Sequence, residues 1–225
     1  MNKYKSLVIS VLLSGVVTTV VPITAQAQVP VAPSQSMQLT RMLQEGRRLV
    51  DIGDYNGALA IYKEASYLEP KNASIYSGIG YLNAQAGNFT AAAAAYRQAV
   101  ALNPNSGPFQ YALGYVSANL GDYNTAKEAY RHAIQIDRND KNAYLGLGVV
   151  LSRLRQYDNA VWACEQAISL DARNGQAYEL IGKMFVQQGR RGDAIATLNR
   201  ARDLYQSQGK LEGVERTQEL LQQLR

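Results

Sequence analysis

From Ser106 to Leu120 the apolar and small positions Tyr111, Ala112, Leu113, Tyr115, Val116 and Leu120 recur at helical spacing rather than in strict alternation. Ser106 stands where a side-chain oxygen can cap a first turn. Pro108 suits that turn, because a missing N–H costs nothing there. Gly121 then stops the helix, since glycine readily takes the left-handed conformation that ends one. After the capping residue Asp122, a second stripe follows at Tyr123, Ala126, Tyr130, Ala133 and Ile134. It predicts a second helix over 123–136, and Asp137 to Asn139 form the turn out of it.

The pattern repeats every 34 residues. One glycine recurs as Gly46, Gly80, Gly114, Gly148 and Gly182. Two alanines recur as Ala58, Ala92, Ala126, Ala160 and Ala194, and as Ala65, Ala99, Ala133, Ala167 and Ala201. Helix stops fall at Gly53, Gly87, Gly121 and Gly189, with Arg155 as the exception. First-helix caps recur at Asn72, Ser106, Asp140 and Asn174. A fixed period of this length is the signature of a solenoid of stacked helix pairs. Glycine inside a helix costs about 1 kcal/mol relative to alanine, so glycines kept in register need a packing reason. The small columns are expected to let the two helices of each unit approach closely.

The columns resemble the tetratricopeptide repeat family. The fourth unit carries Tyr144, Leu147, Gly148, Leu151, Tyr157, Ala160, Cys164 and Ala167. The second carries Tyr76, Ile79, Gly80, Phe89, Ala92, Tyr96, Ala99 and Pro104. Departures are single: Arg138 and Ala172 replace the terminal proline, and Leu198 replaces an aromatic in the fifth unit. The resemblance implies an all-α, right-handed solenoid of five helix-turn-helix repeats over 38–208. Residues 209–225 then supply a C-terminal capping helix, with apolar Leu211, Val214, Leu220, Leu221 and Leu224.

The N-terminus follows a different pattern. Lys3 and Lys5 precede an uncharged run of 15 residues, Leu7 to Val21, and Ala25-Gln26-Ala27 offers a small-x-small cleavage site. A spanning helix needs about 20 apolar residues, which this run does not reach. Residues 1–27 are therefore expected to be a signal peptide and 28–37 an extended linker, leaving no stable membrane span after cleavage. The chain is expected to be exported, to the periplasm or, in a photosynthetic host, the thylakoid lumen. The formal charge of +5 includes Lys3 and Lys5 and is too weak and too scattered to argue for nucleic acid.

Catalytic constellations are missing. His132 is the only histidine and Cys164 the only cysteine, which excludes His-pair and multi-cysteine metal sites and any internal disulfide. His132 reads as a surface or rim residue. Cys164 shares its column with Tyr62, Tyr96 and Tyr130 and is expected to be a buried, inert thiol. Gly78-Ile79-Gly80 and Gly146-Leu147-Gly148 lack the third glycine of a dinucleotide loop and lie inside helices. No enzyme activity, cofactor or metal is expected. Asn72-Ala-Ser and Asn88-Phe-Thr fit the glycosylation pattern and matter only in a glycosylating host.

The resemblance also implies that first helices line a concave groove that takes a protein or peptide ligand. Carried over position by position, its groove positions include Asn142, Leu145 and Gln176, and the residues expected to bind a partner are Arg47, Tyr81, Tyr111, Tyr115, Asn119, Arg153, Glu179 and Lys183. Tyrosines give contact area and a hydrogen-bonding hydroxyl at little entropic cost, and basic residues flank them. The family's carboxylate clamp is absent, because its positions hold Leu43, Arg47, Ser77 and Tyr81. The expected function is a non-enzymatic protein-interaction scaffold, monomeric or weakly oligomeric, that assists assembly of an envelope or membrane complex. The alternative is a cell-wall or carbohydrate-binding accessory protein, since Tyr, Asn and Gln also suit sugars.

Overall fold

The computed structural model describes residues 35–224. The signal-peptide expectation for 1–27 lies outside them. Among the described residues are eleven helices in chain order: α1 (Gln35–Asp51), α2 (Tyr55–Leu68), α3 (Ala73–Gln85), α4 (Phe89–Leu102), α5 (Gly107–Asn119), α6 (Tyr123–Ile136), α7 (Lys141–Arg153), α8 (Tyr157–Leu170), α9 (Gly175–Gln187), α10 (Arg191–Ser207) and α11 (Leu211–Gln223). Each helix packs on its neighbours in sequence, and the first helices also touch across units, α5 on α7 and α7 on α9. This is an all-α solenoid of five helix pairs closed by a capping helix. None of the described helices is long and apolar enough to cross a membrane. The first helix starts at Gln35, inside the stretch expected to be linker. One turn on, Leu39 is buried in a cluster with Ala65 and Ile75, which fastens the start of this helix to the stack.

The punctuation is built as the pattern requires, with one correction. Asp54, Asn72, Asp122, Asp140 and Asn174 each accept a backbone N–H of the first turn they cap. Ser106 occupies the same position, but its side chain makes no cap hydrogen bond. Asn72 and Asp140 bond the N–H two residues on, and after Ser106 that residue is Pro108, which has none. The first helix of each pair, and α10, ends in a Schellman turn, as in Asn88 N–H to Asn83 C=O (2.8 Å) and Gly87 N–H to Ala84 C=O (3.0 Å). The left-handed residue is Gly53, Gly87, Gly121, Gly189 or Gly209, and after α7 it is Arg155, at φ 59°. A side chain in that conformation costs about 1 kcal/mol or more.

Both alanine columns, from Ala58 to Ala201, are wholly inaccessible. The glycine column makes room for a side chain rather than for a bare backbone. A Cβ on Gly114 would stand 2.9 Å from the Tyr130 ring, and one on Gly146 of the next unit 2.5 Å from it on the other side. Tyr62 is held the same way by Gly46 and Gly78. The two glycines of each G-x-G stretch therefore seat the large residues of successive units: Gly78 takes Tyr62, and Gly80 takes Tyr96. Cys164 fills the fourth copy of this seat against Gly148 and is fully buried, as expected. Burial pushes its thiol up to about 12. His132 is exposed on α6.

Candidate functional site

The first helices α5, α7 and α9 line two adjoining depressions. One has a volume of 510 Å³ and is walled by Tyr111, Tyr115, Asn119, Asn142, Leu145, Arg153 and Gln176. The other, of 610 Å³, is walled by Arg153, Arg155, Gln176, Glu179, Lys183 and Arg216. Val149, Arg153 and Gln176 belong to both, so the two form one trough.

In the first depression, the rings are braced from behind. Tyr111 stands edge-on to the buried Tyr130, with centroids 5.7 Å apart, and Tyr115 edge-on to Phe89 at 6.5 Å. Such contacts hold aromatic side chains in one orientation at little entropic cost. Tyr115 remains 47% exposed, so it presents surface to a ligand. Partial burial raises the Tyr111 hydroxyl pKa, with the nearby Asp140 carboxylate a smaller cause. The Tyr111 hydroxyl therefore stays protonated at neutral pH and can donate. Asn119 turns its amide N–H back to the Tyr115 carbonyl (2.8 Å).

In the second depression the electrostatics are one-sided. Glu179 is its only acid and is 4% exposed. Its carboxylate accepts from Lys183 Nζ (2.5 Å), the Tyr205 hydroxyl (2.7 Å) and the Arg216 guanidinium (3.2 Å). Burial works to raise this carboxyl; the bonds from Arg216, Lys183 and Tyr205 outweigh it and hold the group below its usual range. Arg153 and Arg155 are exposed, and neither joins an ion pair among the described residues.

Six of the eight residues expected to bind a partner thus come together in the trough: Tyr111, Tyr115, Asn119, Arg153, Glu179 and Lys183. Arg47 on α1 and Tyr81 on α3, the latter 42% exposed, line neither depression. Glu179, expected among the partner-binding residues, is buried, and its oxygens are taken up in fastening α11 to the last unit. Arg155 and Arg216 complete the positive wall and were not among the expected groove residues. The break in the glycine series at Arg155 was a visible signal. Arg216 lies outside the repeat period, so no column pointed to it. Among the described residues, no cluster of His, Cys, Asp and Glu could hold a metal ion.

The fold has solved counterparts. A crystal structure of MamA shares 25% identity over 73% of this chain and 96% of that one, with a TM-score of 0.71. MamA from Desulfovibrio magneticus RS-1 shares 20% over 78% and 98%, with a TM-score of 0.72. YrrB, described as a TPR protein with an unusual peptide-binding site, shares 20% over 76% and 92%, with a TM-score of 0.69. No curated protein sequence matches the chain. Tetratricopeptide-repeat family models match residues 43–107, 151–208 and 83–147, the same span in which glycine seats and alanine columns keep their register. The chain belongs to the tetratricopeptide repeat family.

Proposed function

We propose that this protein is a non-enzymatic scaffold of an exported compartment. It holds an extended or helical segment of a partner protein in a concave groove that includes the α5–α9 trough, and so assists assembly of an envelope or membrane complex. The observation that carries this reading is the trough itself. Braced tyrosines and amides at one end run without a break into cations at the other. Rigid amphipathic rings and adaptable amides are the side chains that recognise polypeptide. The peptide-binding site described for YrrB, on a similar stack of helices, is consistent with such a role. Export rests on the charge pattern and cleavage site of residues 1–27.

The test is crosslinking in the native host, with partners captured from the exported fraction. The Tyr111→Ala, Tyr115→Ala double variant is compared with wild type and with Tyr67→Ala. Tyr67 is an exposed residue of α2, a second helix, and is not among the groove residues, so Tyr67→Ala retains the partners while the double variant loses them. Equal capture by all three, with unchanged melting, overturns the reading.

A further inference from the structure

We propose that the depression between α7, α9 and α11 binds an acidic segment of a partner protein, while the adjoining tyrosine depression takes the uncharged residues beside it. The proposal rests on the scaffold reading and names the chemistry of its ligand.

Four cations, Arg153, Arg155, Lys183 and Arg216, face one depression whose single carboxylate is buried and already bonded. Some exposed arginines of the solenoid pair within the chain, as Arg48 does with Glu45 and Arg190 with Asp193, while Arg41, Arg47, Arg138 and Arg200, on other faces, form no ion pair among the described residues. Arg153 and Arg155 have no such partner among the described residues. A concave wall of one sign concentrates field and draws in the opposite charge. Guanidinium groups match carboxylates in a two-pronged geometry, which suits Asp and Glu side chains.

A separate observation singles out the same place. The left-handed residue ending α1, α3, α5, α9 and α10 is glycine, and only α7, which lines this depression, ends in an arginine, at φ 59°. The backbone geometry favours glycine there. The side chain that overrides it lies in the positive wall. Continuity with the tyrosine depression, whose lining includes no cation besides Arg153, favours a polypeptide over a polyanion with charge along its whole length.

The experiment pans the purified protein against a random dodecapeptide library and measures the selected peptides by fluorescence anisotropy. The expected result is enrichment of Asp and Glu. Replacing them with Asn and Gln then weakens binding about tenfold, the scale of a lost charge-assisted contact. Raising salt to about 0.5 M weakens the acidic peptides in the same direction. Arg153→Gln and Arg155→Gly each reduce affinity, and Arg155→Gly melts at or above wild type, which separates lost contact from lost fold. Neutral peptides selected, or neutralised ones binding within about threefold of the originals, overturn the acidic ligand and leave the scaffold reading standing. Equal competition by a single-stranded oligonucleotide overturns it in favour of nucleic acid. No enrichment of any peptide overturns both.

Discussion

At the scale of single residues, the repeat is held by small residues that seat large ones. The Tyr130 ring has Gly114 on one side and Gly146 on the other, and Tyr111 stands against it. It has nowhere to move. Alanine at position 146 gains about 1 kcal/mol of helix propensity. It also places a Cβ 2.5 Å from Tyr130 Cζ, and overpacking of this kind costs about 1–3 kcal/mol. Gly146→Ala is therefore expected to lower the urea midpoint, with a net loss of about 1 kcal/mol. A midpoint equal to or above wild type would show that the ring is free to shift. The glycine columns themselves were legible in sequence as close-contact points. Their partner was not, because periodicity does not say whether backbone or side chain fills the space that a missing Cβ leaves.

At the scale of helices, each boundary is set by a few backbone groups. Asp140 accepts from both Asn142 N–H and Ala143 N–H, each at 3.0 Å. Loss of such a cap costs about 1 kcal/mol. Ser106, at the same position of the preceding unit, makes no such bond. Asp140→Ala is accordingly expected to lower the denaturation midpoint clearly, and Ser106→Ala to leave it nearly unchanged. Equal losses from both would mean that the caps act through something other than these bonds. The cap positions were readable because short polar side chains before an apolar stripe have one common use. Part of the difference at Ser106 was also readable, since Pro108 removes one of the two first-turn N–H donors that the Asp140 cap uses, leaving only that of Phe109.

For the whole molecule, the decisive feature is how the last exposed face is closed. A solenoid has no central core, so its end unit must be covered. Here α11 lies against Tyr205, where a Cβ on Gly213 would come within 2.5 Å of the ring. Arg216 of α11 reaches Glu179 of α9, and the Tyr205 hydroxyl of α10 donates to the same carboxylate. One buried acid thus ties three helices. Its pKa is held below the ordinary value of 4.5. The ionised group therefore contributes fully at neutral pH, and the contribution is lost as pH falls below that value and through the folded one. Glu179→Gln is expected to cost about 1–3 kcal/mol at neutral pH. The gap in urea midpoint between wild type and variant is expected to narrow at about pH 3, below the usual carboxylate range. A gap independent of pH would place the role of Glu179 in packing alone.

The sequence by itself determined the helices, their ends and their period, because these depend on neighbours a few residues apart and on columns that recur at one interval. Gly80, Ala126 and Asp140 declare themselves this way. It also marked Tyr111, Tyr115 and Asn119 as a set that packing does not require to repeat. Only the tertiary structure decided that Arg153, Arg155 and Arg216 share one wall, that Glu179 faces inward to fasten α11, and that Arg47 and Tyr81 stand apart from the trough. Those relations join helices from different units and from the cap outside the period. They depend on how the stack closes, which no local pattern of apolar and polar residues encodes.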